Sequence, residues 1–345
     1  PNLTNVPVPT SSTHNESRFV VGLVAGAMLL ILMSAASMLV GSNRIPAAEV
    51  FAALFGGSKS PESTVILTQR LPRTILGFAA GMALGVAGAL MQGHTRNPLA
   101  EPGLFGVNAG AAFGVVILSF ALHIHDPISI VSAALIGSLA ATVLVIAISW
   151  SGRGRGTPVT MALTGTALGA ILAAATTALV LSDRQTLDVM RYWQVGSLSG
   201  RDSSTLPLLL SLIGIGLALA LMNGPSVTAL GLGDDVARGL GNHVALSRVV
   251  GITSITLLTA AATAACGPIA FIGLVAPWAV RAITGPRYTR LIPLSALAGA
   301  IILLSSDVAG RVVLESGELP VGLISAVIGA PVLVAVVARK RVTQL

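Results

Sequence analysis

The chain has 345 residues, of which 54% are hydrophobic and only 10% charged, with a formal charge of +7 and a mean hydropathy of +0.87. A soluble globular domain carries about 25% charged residues, so this composition excludes an ordinary soluble enzyme. It also moves the meaning of the positive charge from nucleic-acid binding to loops beside a membrane. The single cysteine, Cys266, excludes a disulfide framework within the chain.

From the N-terminus, residues 1–18 are polar and read as a flexible tail. The apolar run 19–40 is longer than the core of a signal peptide and lacks a basic cluster before it, so it reads as a retained span. Further apolar runs bounded by charge fall near 72–91, 103–122, 128–149, 159–181, 206–222, 249–266, 269–283, 291–306 and 321–338. The stretch 249–284 is too long for one span and short for two. Gly267-Pro268 divides it, which predicts one helix that is short or partly re-entrant. The reading is an all-α polytopic membrane protein, a single domain over 19–341 with ten helices and both termini on one side.

Charge orients it. With ten spans, twelve of the 20 Lys and Arg fall in one set of loops, among them the basic C-terminus "ARKRVTQL", and eight in the other. By the positive-inside rule the first set, with both termini, is cytoplasmic. Two segments, "GALMQGHTRNPLAEPGLFGV" (88–107) and "GPIAFIGLVAPWAVR" (267–281), each interrupt apolar sequence with Gly and Pro. Such paired interruptions in two halves of a chain point to a transport pathway.

Reaction chemistry is missing. No HExxH, CxxC or His-rich cluster is present, and His14, His94, His123, His125 and His243 all fall in expected loops or tails. "FGGSKS" (55–60) resembles the end of a phosphate-binding loop but has Ser58 where glycine is required. Nearly every acid sits at a helix end, Asp307 being nearest to an exception, so an ion-coupled secondary transporter has no good proton or cation carrier. A polytopic protein with neither energy source nor reaction borrows energy from a partner.

An ordered series of seven segments carries a resemblance. "RLPRTILGFAAGMALGVAGALMQGHTRNPLAEPGLFGVNAGA" (70–111), then "MALTGTALGAIL" (161–172), "RYWQVGSLSGRD" (191–202), "LGDDVARGLG" (232–241), "GPIAFIGLVAPWAVR", "SSDVAGRVV" (305–313) and "GELPVGLISAVIGAPVLVAVV" (317–337) follow in order. This series closely resembles the FecCD family of permeases, the membrane subunits of ABC importers for iron–siderophores, haem and cobalamin, and most of all its ferric-enterobactin type. The resemblance covers about residues 20–340 and implies the ten-helix type II ABC importer fold. One departure is Trp278, where the family usually has His after the Pro of "GLVAP".

The resemblance implies roles for three places. Leu232-Gly233-Asp234-Asp235-Val236-Ala237-Arg238-Gly239-Leu240-Gly241 is similar to the coupling helix that docks into the ATPase, with small Ala237 and Gly239 permitting close approach. Arg70, Arg73 and Arg311, on the side where basic residues are less favoured, match arginines that pair with glutamates of an extracellular binding protein. Tyr192 and Trp193 lie in a short helix over the outer mouth. Residues alone also allow plainer roles: a solvated connector, snorkelling arginines and an aromatic belt. The implied partners are a second permease subunit, identical or related, two ATP-binding subunits that hold ATP and Mg, the binding protein, and a ferric siderophore substrate. No cofactor is expected on this chain, and a haem or cobalamin permease is the alternative.

Overall fold

The computed structural model describes residues 11–41, 45–57, 60–151, 157–314 and 317–338. The basic C-terminus and Arg44, Lys59, Arg153 and Arg155 lie outside the described residues. The described chain is all helix: α1 (Ser11–Leu39), α2 (Ala47–Phe55), α3 (Pro61–Val65), α4 (Leu71–Thr95), α5 (Val107–Leu122), α6 (Pro127–Ser151) and α7 (Pro158–Ser182). Then come α8 (Arg184–Gln194), α9 (Leu206–Leu230), α10 (Asp234–Gly239), α11 (Val244–Cys266), α12 (Ile272–Thr284), α13 (Tyr288–Val312) and α14 (Val321–Ala338). Each of the ten expected apolar runs falls on one of these helices. Seven helical segments, those of α1, α3–α4, α6, α7, α9, α11 and α13, are long and apolar enough to cross a membrane. The others, α5, α12 and α14, are shorter apolar helices.

Three differences from the boundaries of the hydropathy reading stand out. Helix α1 starts at Ser11 rather than 19, because its polar first turns need no apolar face. A π turn over Ile66–Arg70 joins α3 to α4, so the second apolar run is part of one helical segment from Pro61 to Thr95. Helix α9 runs on to Leu230 through Pro225. Proline removes one backbone bond without stopping the helix here, and Pro225 lies on the exposed side of α9.

Helices α4 and α11 are buried almost throughout and form the centre, whereas α1 and α7 are largely exposed. Glycine makes the centre possible. On α4, an added Cβ at Gly81 would lie 2.6 Å from Ala300 Cα, one at Gly85 2.2 Å from Ser295 O, and one at Gly88 1.7 Å from Gly273 O. Positions 81, 85 and 88 share one face, so α4 meets the backbones of α13 and α12 directly. A second seam joins α5 to α6, where Gly110 and Gly137 face each other.

Gly88→Ala is therefore expected to destabilise the chain by about 1–3 kcal/mol, as over-packing does. Gly214→Ala on α9, whose added Cβ would meet nothing within 4 Å, is expected to be neutral or to stabilise by up to about 1 kcal/mol. Thermal unfolding in detergent compares them, and equal melting of the two variants would remove the glycine seam from this account.

Candidate functional site

The two interrupted segments meet in the middle of the bundle. Helix α12 begins against α4 at the Gly88–Gly273 contact, seven residues or about 10 Å from the end of α4 at Thr95. Its 13 residues span about 20 Å, against about 30 Å for a hydrocarbon core. The chain over 267–271 thus enters the bundle as irregular backbone. Phe271, held in a left-handed conformation (φ 68°), donates its N–H to Glu101 Oε1 at 2.9 Å. Glu101 comes from the other interruption, 96–106, and its neighbour Pro102 packs on Gly273. Asn97 turns inward on its own loop, accepting from Leu99 N at 3.0 Å.

At the α10 end of the bundle, Gly233 (φ 111°) and Gly241 (φ 81°) bracket a single short helix. Ala237 is fully buried against Leu230 and Val244, so it anchors α10 to the bundle rather than facing outward. Leu232, Val236 and Leu240 are 65%, 50% and 66% exposed. They make an exposed apolar surface over α10 and its two flanks, beside Gly239, where an added Cβ would meet nothing within 4 Å. Arg238 pairs with Asp235 at 2.6 Å on the open surface, where such pairs contribute little. Asp234 differs, because both its carboxylate oxygens are taken. One pairs with Arg96, beyond the end of α4, and the other with Arg248 of α11 at 2.6 Å.

Above this bracket lies a buried polar group that the sequence does not reveal. His94, expected in a loop, is buried in the last turn of α4. Asn223 of α9 donates Nδ2 to His94 Nε2 at 3.2 Å and to Ser247 O at 3.0 Å, and it accepts from Ser247 Oγ at 2.9 Å. Gly251 makes room for the imidazole, since a Cβ there would sit 1.8 Å from Nε2. The "TRNP" proline marks the end of α4, but no periodicity signals that His94 and Asn223 meet.

At the opposite end, Arg70, Arg73 and Arg311 converge. Arg70 Nη1 donates to Met38 O at 2.7 Å and Leu39 O at 3.2 Å. Arg311 Nη1 donates to Ser37 O at 2.7 Å and Val40 O at 3.0 Å. Together they satisfy the last carbonyls of α1, which a helix end leaves open. Arg73 grips Asp307 through Nη2 at 2.7 Å and Nε at 3.1 Å, and reaches Glu318 at 2.7 Å. Asp307 also pairs with Arg311. The side chain of Arg311 is 2% exposed and that of Arg73 13%. All three arginines border a cavity of about 440 Å³ with Arg201, Asp202 and Glu318. Arg201 closes its floor by donating to Ser197 O at 2.9 Å and to Cys266 O, the end of α11, at 3.1 Å.

Helix α8 borders a neighbouring cavity that shares Arg201 and Asp202 with the first. Its Asp183 cap accepts from Thr186 Oγ1 at 2.6 Å and from Thr186 N at 2.7 Å, which together hold that carboxyl below its usual range. Tyr192 is 83% exposed and Trp193 only 3%, so the two aromatics divide into a surface residue and a core residue. His123, with φ 53°, ends α5, and Asp126 accepts from Ser129 N at 2.9 Å at the start of α6. Trp278, on α12, is partly exposed.

The model of the FecCD transport family matches residues 29–339. The chain belongs to that family. Among relatives, it is 42% identical to the ferric enterobactin transport system permease protein FepD of Escherichia coli over 91% of this chain and 93% of FepD. It is 38% identical to the Fe(3+)-citrate import system permease protein YfmD of Bacillus subtilis over 93% of this chain and 95% of YfmD. A solved inward-facing ABC transporter assigned to the metal-chelate type shares the fold at TM-score 0.81 and 24% identity, covering 92% of this chain and 98% of that one. FecCD membership makes the chain a multi-pass membrane protein.

Asp307→Ala removes the only carboxylate within 4.0 Å of Arg311 among the described residues. Leaving that buried cation unpaired is expected to cost about 3–5 kcal/mol. Arg191→Ala, which breaks an exposed pair with Asp188 at 4.0 Å, should cost less than about 1 kcal/mol. Detergent melting curves of the two variants that coincide would show that the cluster is not a stabilising element.

Proposed function

We propose that this FecCD chain is the permease subunit of an ATP-driven ABC importer that carries a ferric siderophore across the cytoplasmic membrane of a bacterium. It catalyses no covalent chemistry of its own. In this reading the ten apolar helices all cross or enter the membrane, both termini are cytoplasmic, and residues 1–18 are a tail ahead of the single transmembrane domain. Two such subunits, identical or related, enclose the pathway. Two ATP-binding subunits hold ATP and Mg on the α10 side, and a binding protein delivers the chelate to the opposite side. The observation that carries the reading is near-full-length similarity to iron-chelate permeases, joined to an apolar surface on and beside α10 that stands exposed among the described residues.

The segment 232–241 then acts as the coupling helix, with Leu232, Val236 and Leu240 as its contact face and Ala237 as its anchor. Docking of the binding protein belongs to the rim around Arg70, Arg73 and Arg311. Arg70 and Arg311 are committed to the end of α1, so their contribution is to hold the rim, while Arg73 retains some surface. Acidic groups on an incoming protein gain orientation and encounter rate from such a rim more than affinity. Tyr192 supplies an aromatic contact at the mouth. The enterobactin and citrate permeases among the relatives favour an iron chelate over haem or cobalamin.

Reconstitution in lipid discs with the cognate ATPase and binding protein tests this. ATP hydrolysis is expected to rise when binding protein loaded with ferric siderophore is added. Val236→Asp with Leu240→Asp should weaken retention of the ATPase by about tenfold or more, the effect of losing an interface centre. Failure of the wild-type chain to assemble with any ATPase would sink the reading.

A further inference from the structure

We infer that Asp234 is the point at which the coupling helix holds the core of the permease, and that Arg96 and Arg248 are positioning residues for transport. The inference rests on the reading of α10 as a coupling helix and adds how its movement enters the bundle.

Helix α10 is joined through the chain to α9 before it and α11 after it, but α4 has no such connection. The connection to α4 is Arg96. Its Nε donates to Leu230 O at 2.9 Å, and its guanidinium pairs with Asp234. Arg248 takes the second oxygen of Asp234 at 2.6 Å. One carboxylate therefore bridges α4 and α11, the two most buried helices of the bundle. A charge-assisted contact to each oxygen fixes direction as well as distance.

The backbone of Arg96 supports a specific role. It ends α4 at φ 50° and ψ 32°, a left-handed position that favours glycine or asparagine. Glycine would fit the turn with less strain but would provide no guanidinium. One turn deeper, His94, Asn223 and Ser247 bind α4, α9 and α11 together. A pull on Asp234 is thus applied to three helices that are already tied to one another. Each of these is a packed or hydrogen-bonded contact, the physical kind of link through which coupling passes.

The experiment uses the complete transporter in lipid vesicles and reads chelate transported per ATP hydrolysed, beside the melting temperature. Arg96→Gly relieves the left-handed backbone while deleting the guanidinium. Its stability is expected to be unchanged or higher, while transport per ATP falls by about fivefold or more, the lower end of coupling between linked sites. Arg248→Gln should act alike, and Arg248→Lys should recover part of the loss. Should Arg248→Gln fail to accumulate, the exchange of Asp234→Arg with Arg248→Asp tests the same bridge, and partial recovery over Asp234→Arg alone is expected. Wild-type transport per ATP in Arg96→Gly would overturn the inference and leave the importer intact. Absence of ATP-dependent uptake by the wild type would instead remove the reading on which it rests.

Discussion

Backbone polar groups inside an apolar bundle must find partners within the protein, and the hydrogen bond from Phe271 N–H to Glu101 is where this chain meets that requirement. Two helices, α5 and α12, start part-way along the bundle and leave irregular backbone before them. Each interruption would be costly alone. Glu101 would be a carboxylate among apolar neighbours, and the start of α12 would present donors with nothing to accept them. Brought together, the carboxylate faces the positive end of a helix and both costs are offset. The contact exists only because Gly88 and Gly273 let α4 and α12 touch at the backbone. A glycine pattern that looks like loose composition is thus a condition for the polar contact.

The same requirement explains the arginines at the far end. The last carbonyls of α1 point into the bundle, and two guanidinium groups close them. Asp307 then keeps Arg73 and Arg311 from repelling one another at close range. Desolvation offsets much of the Coulomb gain of such a cluster. What it provides is register, because α1, α4 and α13 can meet at one height only. The rim of the 440 Å³ cavity is consequently cross-linked from three helices.

Much of this was legible in the sequence, and the boundary of legibility has a physical cause. Each apolar run read from hydropathy falls on a helix among the described residues, and Gly267-Pro268 marked the break that precedes the short α12. Both are local properties of the chain. The continuation of α9 past Pro225 was not legible, because a proline inside an apolar run reads locally as a helix end. Nor was the buried state of His94, whose partner Asn223 is 129 residues away. The arginine motif was visible as charge on an unexpected side, but Arg73 and Asp307 are 234 residues apart, and spacing does not reveal such a pair. For α10 the small residues suggested the contact face, whereas Ala237 proved to be the anchor and the exposed face is Leu232, Val236 and Leu240.

The least buried helices show what one chain leaves unfinished. The exposed surface of α1 carries Val20, Val21, Val24, Met28, Ile31 and Leu32, large side chains suited to lipid tails. Helix α7 is almost as exposed, yet its middle reads "GTALGAILAAATTAL". Small side chains gain little from lipid but let another helix or a passing solute approach the backbone closely. Gly165 is buried against Leu104 O within this chain, whereas Ala167, Ala170, Ala173, Ala174 and Ala178 are exposed and leave room for another helix to approach closely. The charged clusters support the same division, since both lie at the ends of the bundle and neither is on α7. The ion pairs described above are thus confined to the ends of the bundle, while the exposed middle of α7 carries mostly small uncharged side chains beside Ile171.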